Sequence, residues 1–159
     1  MLKALFAVLA LSLSMQAFAL NDEESLQFSD ALTEGKLKVV QKFVKAEPGL
    51  VNEKIFGWSP VQMAANKNDA SMVKYLLSKG AEINYMHPIA HHTAFHLAAL
   101  NGMTDMMKLL ATSGADVNVK LKGDVSLIRY FRDEKNPAMV ELLTSLGVKD
   151  DGCLDEQCF

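Results

Sequence analysis

Cysteine is almost missing from this sequence of 159 residues: the two present, Cys153 and Cys158, both fall in the closing stretch. They are not spaced Cys-x-x-Cys, and no helix start beside them would depress a thiol, so thiol oxidoreductase chemistry is not indicated. An excess of basic charge is missing as well. With Lys+Arg 16 against Asp+Glu 19 the net charge is −3, which offers no global attraction to nucleic acid or to an anionic membrane. Phosphate-cradling glycine loops and a Gly-x-Ser-x-Gly elbow do not occur, and no carboxylate pair is set apart by its spacing. An enzyme is therefore not expected, and no cofactor is implied. Long apolar runs are confined to the start of the chain, and none reaches the roughly 20 residues of a spanning helix.

That start has its own logic. Lys3 supplies a positive end, Ala4 to Leu13 an apolar run, and Ala17-Phe18-Ala19 a small-x-small site, so residues 1–19 read as a secretory signal cleaved after Ala19. No lipid-accepting cysteine follows. The signal has a bacterial look, which makes the periplasm the expected compartment and leaves release from the cell open.

What the chain does contain is a repeat. Counting 34 positions onward takes Ser59 to Thr93, Ala64-Ala65 to Ala98-Ala99, Gly80 to Gly114 and Asn84 to Asn118. A period of this size over a whole helix-turn-helix unit marks a solenoid array. Ser59 and Thr93 precede apolar runs and read as helix N-caps, and Pro60 suits the first helical turn. Paired alanines keep one helix thin. Met72, Val73, Leu76 and Leu77, and in the next copy Met106, Met107, Leu109 and Leu110, form the apolar face of a second helix, which only stacking can bury.

Ser59-Pro60-Val61-Gln62-Met63-Ala64-Ala65 and Thr93-Ala94-Phe95-His96-Leu97-Ala98-Ala99, each followed by a Gly-Ala-x-[Ile/Val]-Asn ending, resemble the ankyrin repeat. The resemblance implies an all-α solenoid of about four helix-turn-helix units joined by β-hairpin-like finger loops. The expected layout is the signal at 1–19, an ankyrin domain at 20–149, and a tail at 150–159. Within the domain, residues 20–54 and 119–149 are caps, and 55–84 and 85–118 are the regular repeats. In the first cap Phe28, Ala31 and Leu32 would line the inner helix and Leu37, Val39, Val40, Phe43 and Val44 the outer one, with Gly35 standing where Asn68 stands in the next unit. In the last cap, Tyr130-Phe131 replaces the alanine pair, as suits an end that no further helix approaches. In an oxidising compartment Cys153 and Cys158 are expected to close a local disulfide that fixes the tail, although an intermolecular or free thiol, or redox or metal chemistry, stays open.

All four histidines, His87, His91, His92 and His96, fall within ten residues. His96 occupies the histidine position of the ankyrin motif, so the resemblance gives it a turn hydrogen-bonding role. The other three lie on a loop without a nearby carboxylate or thiol, and are read as loop-tip contacts rather than a metal site, though imidazole is a common zinc or copper ligand. The loop from Asn84 to Thr93 lacks Gly, Lys, Asp and Glu, and carries Tyr85, Met86, Pro88 and Ile89; the finger before it carries Ile55, Phe56 and Trp58. Such side chains fit a protein-binding hot spot.

Ankyrin proteins bind partners with their finger tips and the concave face of their inner helices. Carried over by position, that surface is Phe56, Trp58, Asn66 and Lys67, then Tyr85, Met86, His87, Ile89, His91, His92, Leu100 and Asn101, then Lys122, Arg132 and Asp133. Small exported bacterial ankyrin proteins include ones that bind and block peptidoglycan-cutting D,D-endopeptidases or carboxypeptidases for self-protection, and the sequence resembles them in leader, size and repeat number. The expected function is a non-enzymatic periplasmic inhibitor, monomeric when free. The alternatives are protection against oxidants beside a periplasmic catalase, using methionines and the cysteine pair, or metal binding by the histidine loop.

Overall fold

A computed structural model describes residues 21–152. The proposed signal segment and both cysteines lie outside these residues. The described chain forms four helix-turn-helix pairs: α1 (Asp22–Thr33) with α2 (Leu37–Ala46), α3 (Pro60–Asn66) with α4 (Ala70–Ser78), α5 (Ala94–Leu100) with α6 (Thr104–Thr112), and α7 (Leu127–Asp133) with α8 (Pro137–Ser145). A 3₁₀ turn at Pro48–Asn52 follows α2. The architecture is an all-α solenoid of stacked units.

Every inner helix begins in the same way. Asn21, Ser59, Thr93 and Ser126 each accept a hydrogen bond from a backbone N–H three residues on, satisfying a donor the helix cannot. Glu24, Gln62 and His96 return the bond to the first three of these caps, completing capping boxes. The inter-helix turns also share one geometry, with φ of 69° at Gly35, 57° at Asn68, 66° at Gly102 and 55° at Lys135. This left-handed step is easy for Gly and tolerable for Asn. It explains why the first unit can be aligned on Gly35 despite its divergent sequence.

Packing follows the thin helices. Ala64, Ala65, Ala98 and Ala99 are fully buried, and α3 lies close against both α1 and α5. Outside this layer, Val40, Met72, Val73, Leu76, Met106, Met107, Leu110 and Leu143 are buried from the outer helices. Within each apolar pair the two members differ: Leu76 and Leu110 are sealed, whereas Leu77 and Leu109 are only partly covered. Val39 stands 39% exposed on the first unit, contrary to its expected place on the packed face of α2. Near the other end, the Ser126 cap and the bond from Asn136 N to Phe131 O, the counterpart of that from Met103 N to Ala98 O, put Phe131 and Arg132 in the places of the alanines, which shifts the expected Tyr130-Phe131 pair by one residue. Tyr130 and Phe131 lie edge to face at 5.0 Å, and α7 approaches α5 far more sparsely than α3 does.

Asparagines tie the units together along one side. Asn52 donates to Gly80 O (3.1 Å) and accepts from Glu82 N (2.7 Å). Asn84 accepts from Asp116 N (2.7 Å), and Asn118 accepts from Lys149 N (2.8 Å). Each is the closing Asn of its unit and serves the next one.

Candidate functional site

The first finger is a two-residue hairpin. Ile55 and Trp58 exchange both backbone hydrogen bonds at 2.9 Å, and the residues between them, Phe56 and Gly57, have φ of 51° and 82°. Positive φ at both central residues is the type I′ turn that follows strand twist, and it favours Asn-Gly. Phenylalanine in this conformation costs about 1 kcal/mol. It gains no burial in return, because Phe56 is 85% exposed. Strain kept for an exposed aromatic ring points to use of that ring.

The second finger is not a hairpin, which corrects the expectation for this loop. It is a compact turn built around His87. The His87 N–H donates to His92 O (3.0 Å), and the His91 N–H donates to His87 O (2.9 Å). The ring then folds back, so that Nδ1 accepts from the N–H groups of both Ile89 (3.2 Å) and Ala90 (3.0 Å). From below, Gln62 Nε2 donates to Tyr85 O (3.2 Å) and His92 O (2.6 Å). His87 is 7% exposed, so the residue expected at the tip is the keystone of the loop and not a contact. The tip is formed by Pro88 and Ile89, the latter 80% exposed, with Met86 at its flank.

The two fingers are welded. Trp58 stacks on the His87 ring with centroids 4.0 Å apart. A Cβ at Gly57 would stand 2.9 Å from His87 Nε2, so only glycine admits the ring. Tyr85, half-buried rather than at the tip, donates its hydroxyl proton to Gly57 O (3.1 Å), and Lys54 Nζ sits 3.9 Å above its ring while pairing with Glu82 at 3.4 Å. The exposed products of this arrangement are Phe56, Met86 and Ile89.

His96 fills its turn role. Nδ1 accepts from Thr93 N (3.0 Å) and Nε2 faces Val119 O at 2.9 Å, a pairing that calls for the neutral ring with its proton on Nε2. Burial lowers its pKa below the ordinary imidazole value, partly offset by the Val119 carbonyl. His92, half-buried, is lowered first by burial and then by its neighbours His87 and His91. His91 is exposed, with φ of 54°. Among the described residues no three His, Cys, Asp or Glu side chains group in a way that could hold a metal.

On the concave side, Asn66 and Lys67 are exposed at the end of α3, and Asn101 donates to Asn66 Oδ1 (3.2 Å) and Leu97 O (2.9 Å) across the unit boundary. Leu100 is half-buried beside them. Lys122 is exposed on a third finger, where Lys120 and Asp124 pair at 2.6 Å. Asp133 is exposed, but Arg132 is paired with Asp150 of the tail, which holds that carboxyl below the usual range. Asp151 accepts from Ser126 N (3.2 Å), docking the same tail on the last unit. Arg132 is thus tied to its own chain and is not the open concave contact expected from the sequence.

A family model described as ankyrin repeats, in three copies, matches residues 28–120. The chain belongs to the ankyrin-repeat family. The α7–α8 pair adds a fourth unit beyond the matched span. Relatives include an ankyrin repeat, SAM and basic leucine zipper domain-containing protein 1 from Carollia perspicillata, 26% identical over 75% of this chain and 26% of that protein. Human ankyrin repeat and SOCS box protein 6 is 46% identical over 27% of this chain and 10% of its own length. The serine/threonine-protein kinase VIK of Arabidopsis thaliana is 31% identical over 52% of this chain and 19% of the kinase. The chain thus spans about a quarter or less of the length of these relatives. Ankyrin arrays are protein–protein interaction modules, and no described helix is long and apolar enough to cross a membrane.

Proposed function

We propose that the protein is an exported, periplasmic inhibitor that uses its first two fingers to occlude a peptidoglycan D,D-endopeptidase or carboxypeptidase, protecting the cell that makes it. The observation that carries the binding half of this reading is the welded finger pair, which presents Phe56, Met86 and Ile89 on a support fixed by the Trp58–His87 stack. Apolar anchors held rigid before contact lose little entropy on binding. The enzyme class comes from the resemblance of leader, size and repeat number to exported ankyrin inhibitors. Steric blockage suits a site that itself holds no catalytic group.

The test is a pull-down from periplasmic extract with the mature protein and with a Phe56→Ala/Ile89→Ala variant, followed by hydrolase assays on what is captured. Capture of a cell-wall hydrolase by the unsubstituted protein alone, with loss of its activity at saturation, supports the proposal. Full hydrolase activity at saturation sinks it. The oxidant-target reading draws little from the fold, because Met72, Met106, Met107 and Met139 are buried.

A further inference from the structure

We infer that His87 is a pH-sensitive latch: the neutral ring holds the Ile89 tip in its binding shape, and the ring releases that tip when it takes up a proton. This rests on the reading of the fingers as the binding surface and adds a means of regulating them. The argument is one of acceptor count. Nδ1 of His87 receives the N–H groups of Ile89 and Ala90 at once, and these bonds shape the turn that carries Ile89. An imidazolium has a proton on both ring nitrogens and accepts nothing. Turning the ring over would set a carbon where Nδ1 stands, so no rotamer of the charged ring restores the acceptor.

The surroundings decide which contact yields. Trp58 lies against the ring at 4.0 Å, and an indole face attracts a cation, so a charged His87 keeps its stack. The amides of Ile89 and Ala90 are what must turn away. The charged or titratable groups on the elements packed around the ring are Glu53 and Lys54 before the first finger, Glu82 below the second, Tyr85, His91 and His92 in the loop itself, and His96 at the start of α5. Glu82 is engaged with Lys54. Among the described residues no carboxylate lies within ion-pair distance of His87, so no anion replaces the lost bonds.

Trp58 is the sole tryptophan, and a charged imidazole stacked on an indole quenches its emission, so the protein carries its own reporter. The experiment is a titration of the full chain from about pH 8 to 5, across the range where histidine changes charge. It follows Trp58 emission, the His87 ring nitrogens by NMR, and exchange of the Ile89 and Ala90 amides corrected for intrinsic rates. The expected result is one transition in which Nδ1 gains a proton, emission falls and protection of both amides drops about tenfold, the scale of one lost hydrogen bond. Amides of Val73 and Leu110 stay protected throughout. His87→Asn supplies an acceptor oxygen that does not titrate, and keeps both amides protected down to pH 5. Should that variant fail to fold, the ring and amide signals of the natural chain decide alone. Protection of Ile89 and Ala90 that survives Nδ1 protonation overturns the latch, as does the same loss in a folded His87→Asn chain. If the latch titrates but the captured hydrolase is bound equally at both ends of the range, regulation fails while inhibition stands. If the latch titrates and no hydrolase is bound at any pH, the inhibitor reading fails by itself.

Discussion

At the scale of single residues, the array spends stability where it presents side chains and saves it where it joins them. Phe56 sits at φ 51° in a turn whose chemistry asks for Asn-Gly. Phe56→Asn should therefore raise stability by about 1 kcal/mol in urea unfolding, while weakening partner capture at least tenfold; a variant that gained stability and kept its binding would remove Phe56 from the interface. His96 shows the opposite economy, joining Thr93 to Val119 through a neutral ring. Its pKa is lowered in the fold, so below the ordinary value of 6.5 the unfolded chain binds the extra proton first. The His96 contribution is complete above that value and declines as pH falls through the folded one. His96→Gln copies the residue that the preceding unit uses at the same place, Gln62, which also completes a capping box and bridges to the next finger. Stability at pH 7.5 should stay within about 1 kcal/mol of the parent, and its decline toward pH 5 should be shallower.

At the scale of the elements, the outer helices divide their leucines by angle. Leu76→Ala and Leu110→Ala should each cost about 2–5 kcal/mol, because both side chains are sealed. Leu109→Ala should cost no more than about 2 kcal/mol, since its side chain is only partly covered. Reading Leu109 and Leu110 as equals was natural from an apolar pair alone: a 3.6-residue period leaves one member at the edge of the stripe, and sequence does not say which. Other features were plainer. The caps Ser59 and Thr93, the alanine pairs and the match of Gly35 to Asn68 recur in register, and each has a local physical cause that survives folding. Ser126 was hidden, because the rest of its unit departs from the repeat. The inward turn of His87 was hidden more deeply. A histidine on an apolar loop reads as exposed until the neighbouring finger brings Trp58 against it, and only His87-Pro88 hinted at a ring folded back over its own turn.

At the scale of the whole molecule, stability belongs to contacts between neighbouring units as much as to the units themselves. Asn84 is the closing link between the second and third units, accepting from Asp116 N at 2.7 Å. Replacing it by Ala should cost about 1–2 kcal/mol and lower the urea m-value, as unfolding of the two halves ceases to coincide; an unchanged m-value would show that the stacked helices couple the halves without it. The Phe131–Arg132 pair at the alanine positions of α7 has a different kind of consequence. Arrays of this type grow in evolution by copying a block of sequence, and a new block needs a thin helix to stack against. Behind α7 these bulky side chains, one of them tied to the tail through Asp150, deny that space, so a duplicated block can be accommodated only upstream. Inserted between the second and third units, it would part Trp58 from His87 and dismantle the finger pair. Between the first and second units, or between the third and fourth, a block would leave that pair in contact, so the family history of such a chain should show length variation at those two junctions and constancy between them.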